Sequence, residues 1–118
     1  MINPAVGERI RSEISTNDVV LYMKGTPKAP QCGFSANAIA MLNACGAKDV
    51  FTVDVLSNPE IRQGIKTYAN WPTIPQLYVK GEFVGGCDIV REMFQEGELK
   101  DYLSQKGVAT ADVPAETA

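Results

Sequence analysis

The chain offers few residue types able to do nucleophilic or metal chemistry. It has no histidine, so neither a Ser–His nor a Cys–His catalytic pair can be built from it, and a zinc site using imidazole is excluded. Three cysteines are present, Cys32, Cys45 and Cys87, an odd number and widely spaced. That pattern differs from a secreted disulfide framework and suits a reducing compartment. Sulfur is therefore the first suspect, and Cys32 is the best placed of the three. The stretch from Lys24 to Pro30 carries one glycine and two prolines and reads as a loop. From Gly33 onward, Ala36, Ile39, Leu42 and Cys45 lie close to one helical face, with Gly46 as a C-cap. Cys32 thus falls where a loop meets a helix N-terminus. Unsatisfied N–H groups and the positive end of the helix dipole there favour thiolate over thiol. Lys24, at the end of the preceding strand, adds a second positive field. Cys45 faces the apolar side of that helix and reads as core.

The elements that must position Cys32 follow from periodicity and punctuation. Asn3-Pro4 is an N-cap followed by proline at the first helical position, and Val6, Ile10 and Ile14 recur behind it. The run from Val19 to Met23 reads as a buried strand, and Val50 to Val55 as a second one. Asn58-Pro59 repeats the helix start, with Ile61, Ile65 and Tyr68 as the expected buried stripe. Arg62 and Lys66 are four apart on another face of that helix, so their charges project together. Two prolines within Trp71-Pro72-Thr73-Ile74-Pro75 argue against helix. Gln76 to Val79 and Glu82 to Gly85 flank Lys80-Gly81 as a tight hairpin. Gly85-Gly86-Cys87-Asp88 leads into a helix with Asp88 as its expected N-cap and Ile89, Val90, Met93 and Phe94 as its apolar side. Leu99, Tyr102 and Leu103 mark a last short helix. A domain over residues 1–106 and a loose tail over 107–118, rich in Ala, Thr and Pro, complete the division.

The order α-β-α-β-α-β-β-α-α predicts a parallel first β-α-β unit and an antiparallel final strand pair. A four-stranded mixed sheet with helices on both faces results, the α/β layout of the thioredoxin fold. Composition fits one soluble domain, with 45% hydrophobic residues and a net charge of −3. The acidic balance argues against nucleic acid as the main partner. No apolar run approaches the ~20 residues of a membrane span. The first eleven residues lack a secretory pattern, so the expected compartment is the cytoplasm.

The segment Cys32-Gly33-Phe34-Ser35, preceded by Lys24-Gly25-Thr26-Pro27 and Pro30-Gln31, resembles the CGFS signature of monothiol glutaredoxins. The resemblance continues through Trp71-Pro72-Thr73-Ile74-Pro75-Gln76 and Gly85-Gly86-Cys87-Asp88, and covers the chain from about Asn3 to Leu103. Ser35 stands where dithiol relatives carry a second thiol. Its hydroxyl, far less acidic, cannot resolve a mixed disulfide, so a two-cysteine cycle at this motif is closed. The resemblance implies a cis Ile74–Pro75 peptide that turns backbone polar groups outward beside Cys32, with Thr73 at the same edge.

The resemblance also implies glutathione as ligand, and the residues suit its two carboxylates, ammonium and thiol. Arg62, with Lys24 and Lys66, can pair with the glycine-end carboxylate. For Arg62 and Lys66 a merely solvated face is the alternative. The helix N-terminus at Cys87-Asp88 can receive the other carboxylate. Asp88 can accept the ammonium, or act only as a cap. Cys87 is either a packed thiol or a distant resolving one. A 2Fe–2S cluster takes four thiolates. One chain offers one at the site and bound glutathione another, so the resemblance implies a cluster-bridged homodimer of an otherwise monomeric protein. Such a carrier would ligate iron through Cys32 and pass clusters to apo iron–sulfur proteins. A BolA-like protein is a further partner that the resemblance brings. The competing expectation is an enzyme that reduces protein–glutathione mixed disulfides, with Cys32 as nucleophile and a second glutathione as resolving thiol.

Overall fold

A computed structural model describes residues 2–108. Five helices and four strands alternate as α1 (Pro4–Thr16), β1 (Val19–Met23), α2 (Gly33–Ala44), β2 (Phe51–Asp54), α3 (Pro59–Ala69), β3 (Gln76–Val79), β4 (Glu82–Gly85), α4 (Cys87–Gln95) and α5 (Glu98–Gln105). The strands form one mixed sheet in the order β2-β1-β3-β4. β1 runs parallel to β2 and antiparallel to β3, and β3 pairs antiparallel with β4. This is the thioredoxin-type architecture expected from the element order.

Strand periodicity sorts the core into two layers. Val19, Leu21, Met23, Leu77 and Val79 point to one face, where α2, α4 and α5 cover them with Leu42, Val90, Leu99 and Leu103. Val20, Tyr22 and Tyr78 point to the other, against Ile10 and Ile14 of α1 and Ile61 and Ile65 of α3. Both central strands are buried along their whole length, which is why β1 reads as a continuous apolar run rather than as an alternating one.

Helix starts follow the sequence signals. The side chains of Asn3 and Asn58 accept from the N–H groups of Ala5 and Ile61, each with proline as the first helical residue. The β3–β4 turn holds both Lys80 (φ 51°) and Gly81 (φ 82°) in the left-handed region, as a two-residue hairpin requires.

Several expectations shift. α4 is capped by Gly86, and Asp88 sits inside its first turn, bonded to Arg91 at 2.9 Å. Tyr68, Ile89 and Phe94, assigned to buried stripes, are each more than a third exposed. Each stands near an end of its helix, Tyr68 in the last turn of α3 and Ile89 and Phe94 in the first and last turns of α4. On α2 the inward face is carried by Ser35, Ala38, Ile39, Met41 and Leu42, while Ala36 is half-buried. Cys45 is buried but stands just past the helix as its C-cap. β2 is shorter than the expected span, with Val55 buried immediately beyond it. Val108, expected in the tail, packs into the α2–α4–α5 layer, and its N–H bonds to the carbonyl of Leu103. Residues 109–118 of the expected tail lie outside the described residues.

Candidate functional site

The loop between β1 and α2 is tied down by its own backbone. The N–H of Gln31 donates to the carbonyl of Lys24 at 2.9 Å, and Thr26 and Ala29 exchange N–H···O bonds across the turn. Asp54, at the end of β2, accepts from the N–H of Gly25 at 2.9 Å and also from that of Leu56, which locks this loop to the neighbouring strand. Gly25 has φ 88°, and a Cβ there would lie 2.6 Å from both the Ala29 carbonyl oxygen and the Gln31 nitrogen. Only glycine fits such a turn without strain. The loop's exit is therefore fixed, and Cys32 emerges in extended backbone as the N-cap of α2.

The environment of Cys32 favours thiolate over thiol. The sulfur is partly exposed, and its pKa is held below the ordinary thiol value. The backbone N–H of Ser35 contributes most, followed by the N–H of Phe34, the Lys24 charge and the Ser35 hydroxyl, while partial desolvation opposes them. Ser35 is fully buried, and its oxygen accepts from the N–H of Lys24 at 3.0 Å. This bond splices the end of β1 to the first turn of α2. Sequence reasoning read Ser35 as an absent second thiol in the first turn of a helix; its bond across to β1 became visible once strand and helix were placed side by side.

Around Cys32 lies an open cleft of about 460 Å³, a volume suited to a small peptide ligand. Among the expected residues Lys24, Thr73, Ile74, Pro75, Cys87 and Asp88 line it together with Cys32. Lys66 does as well, whereas Arg62, one helical turn earlier on α3, is not part of the wall. Lys24 and Lys66 make no ion pair among the described residues, so their charges are available to an anion. The first turn of α4 also borders the cleft, with Asp88 and N–H groups that make no hydrogen bond among the described residues. The cleft thus combines two lysine ammonium groups with a helix N-terminus and a carboxylate.

Sequence reasoning gave no site role to Phe34, Trp71, Pro72, Gly86 and Ile89, which complete the walls. The prolines and the double glycine signalled irregular backbone, but nothing in their spacing announced one cavity. Ile74–Pro75 is cis, as the resemblance implied. Gly86 supplies closeness, because a Cβ on it would lie 3.2 Å from the indole nitrogen of Trp71.

The other two thiols differ from Cys32. Cys45 is buried, and burial pushes its pKa up. Cys87 sits at the first position of α4, where the dipole should favour an anion, yet burial dominates and raises its pKa too. Among the described residues no group of three or more Cys, Asp or Glu side chains could hold a metal ion, and no helix is long and apolar enough to cross a membrane.

Comparison with known proteins agrees with this geometry. The Glutaredoxin family model matches residues 19–84. The chain is 55% identical over 98 residues to Glutaredoxin 4 of Escherichia coli, covering 83% of this chain and 84% of that protein. It is 54% identical over 102 residues to a Synechocystis protein named as a monothiol glutaredoxin, covering 86% of this chain and 94% of that one. The solution structure of a monomeric truncated mutant of Trypanosoma brucei 1-C-Grx1 superimposes with a TM-score of 0.81 at 42% identity, over 96% of this chain and 98% of the other. The chain belongs to the monothiol glutaredoxin family.

Proposed function

We propose that the protein binds glutathione in the Cys32 cleft and, as a pair of chains sharing two glutathiones, carries a 2Fe–2S cluster to recipient apo-proteins. One observation carries the reading: a single partly exposed thiol with a lowered pKa, in a cleft whose lysines make no ion pair among the described residues and which holds no second accessible thiol. A tripeptide thiol fits those terms. Lys24 and Lys66 face one carboxylate, the α4 N-terminus and Asp88 face the γ-glutamyl end, and the glutathione sulfur lies beside Cys32. Arg62 lies outside the wall and would act on a bound carboxylate only at longer range.

The donor set fits a transient cluster. Four thiolates are required, and each chain supplies one, so two glutathiones must supply the rest. Half the ligands are then exchangeable small molecules, which favours hand-over to recipients above permanent electron transfer. The cluster is cargo on this reading. A reducing cytoplasm, where Cys32 and glutathione stay as thiols, is the compartment it needs.

Anaerobic reconstitution with iron, sulfide and glutathione tests the proposal, comparing wild type with Cys32→Ser by visible absorbance and size-exclusion chromatography. A coloured wild-type dimer that requires glutathione and is lost in the variant supports the carrier. Colourless, monomeric wild type that reduces glutathionylated protein would replace it with the monothiol oxidoreductase, in which Cys32 attacks the mixed disulfide and a second glutathione resolves it.

A further inference from the structure

One wall of the cleft is the irregular segment Trp71–Pro75, and irregular backbone must find partners for its polar groups. Two of its carbonyls are satisfied from below by one side chain. Gln76, fully buried at the start of β3, donates through Nε2 to the carbonyl oxygen of Trp71 at 3.0 Å and to that of Thr73 at 3.2 Å. The opposite end of the amide is fixed as well, because the Tyr78 hydroxyl donates to Gln76 Oε1 at 3.1 Å. A flipped amide would aim its oxygen at two carbonyl oxygens, so the network admits one orientation. The backbone N–H and C=O of Ile74, by contrast, make no hydrogen bond among the described residues.

We infer that Gln76 is a positioning residue for the ligand wall. Its amide draws the Trp71 and Thr73 carbonyls inward, and this leaves the Ile74 peptide groups and the Thr73 side chain presented to the backbone of a peptide ligand. Tyr78 acts one step further back by orienting the amide. For its ligand the inference rests on the glutathione reading above, but the wall itself can be read without any ligand. Trp71 is the only tryptophan of the chain and belongs to the same segment, packed on Phe83 with ring centroids 5.8 Å apart. Its emission therefore reports on the wall alone.

The test uses the full chain and measures Trp71 emission maximum and anisotropy, and glutathione affinity by calorimetry, for wild type, Gln76→Leu, Tyr78→Phe and the double variant. Gln76→Leu is expected to lower Trp71 anisotropy and weaken glutathione binding about tenfold, as loss of two directional bonds implies. Tyr78→Phe should move both readouts the same way, about two- to threefold in affinity, and should add nothing in the Gln76→Leu background. If Gln76→Leu fails to fold, Tyr78→Phe carries the test. Unaltered Trp71 emission and anisotropy in the folded variants overturn the inference, as does unaltered affinity in a protein whose wild type binds glutathione. A wild type that binds no glutathione sinks the functional reading, and the wall inference then stands or falls on Trp71 alone.

Discussion

Helix α2 begins at one cysteine and ends at another. Cys32 is its N-cap and Cys45 its C-cap, so the same side chain is placed at the two poles of one element. At the N-terminus the N–H groups of Ser35 and Phe34 face the sulfur, solvent reaches it, and ionisation becomes easier. At the C-terminus the sulfur is buried in the α2–α4–α5 layer and ionisation becomes harder. Cys87 separates the two influences, because it has the favourable helix pole but not the solvent access, and its pKa rises. Burial outweighs helix polarity here. A reactive thiol in this fold needs both.

The most direct way to break this comparison is alkylation with iodoacetamide at neutral pH, followed by mass spectrometry of each cysteine. Cys32 should react on the order of a hundredfold faster than Cys45 or Cys87, which combine raised pKa values with poor access. Cys32→Ser should abolish the fast phase. A surviving fast phase would mean that the wrong sulfur has been placed at the chemistry. The pH profile sharpens the same contrast. The Cys32 rate should reach its plateau below the pH of an ordinary thiol, whereas Cys45 should still be accelerating above it. Stability follows with opposite signs. Cys32, with a lowered folded pKa, contributes stabilisation that is present above its unfolded pKa and is lost as pH falls through the folded one. Cys45, with a raised folded pKa, contributes stabilisation that is present below its unfolded pKa and is lost as pH rises toward the folded one. Denaturant melts of wild type and Cys45→Ala across alkaline pH should therefore show a shallower loss in the variant.

The loop that delivers Cys32 can be tested separately from the sulfur. Gly25→Ala should destabilise by about 1–3 kcal/mol in urea melts, since φ 88° and two backbone atoms at 2.6 Å leave no room for a methyl group. Gly33→Ala, one position after Cys32, meets nothing within 4 Å and should be neutral or gain up to about 0.5 kcal/mol from helix propensity. Equal losses at the two positions would show that the strain is not localised in the Gly25 turn.

How much of this was legible beforehand depends on the range of the interaction. Asn3-Pro4 and Asn58-Pro59 announce helix starts because capping is local, the run at 19–23 announces a buried strand because both its faces are covered, and Lys80-Gly81 announces a hairpin because its turn is local. Cys32 was legible for the same reason, since its loop and helix adjoin in sequence. The misassigned cap at Asp88 came from weighing a good capping side chain above the backbone, where Gly86 already holds the position. Tyr68, Ile89 and Phe94 were misplaced because periodicity gives a direction and not which turns of a helix are covered. The cleft's remaining walls needed α3, the 71–75 segment and α4 brought together, and no spacing along the chain encodes that. The sequence reading puts Arg62 ahead of Lys66 as the carboxylate partner, and the structure reverses that order; the one-turn difference that puts only Lys66 in the wall is a property of how α3 is seated.

Lys24 gives the smallest expected effect and the finest cut. Its charge follows the two backbone N–H groups among the influences that lower the Cys32 pKa, so the helix terminus should hold most of the thiolate without it. The side chain is half-exposed, and solvent screens its field. Lys24→Ala should slow Cys32 alkylation at neutral pH about two- to threefold at low salt, and high salt should erase much of that difference. The Lys24 N–H bond to Ser35 is a backbone contact and survives the substitution, so the loop stays in place and the charge alone is removed. A loss as large as that of disturbing the α2 N-terminus would reverse the ranking of causes and make the lysine, not the helix, the source of Cys32 reactivity.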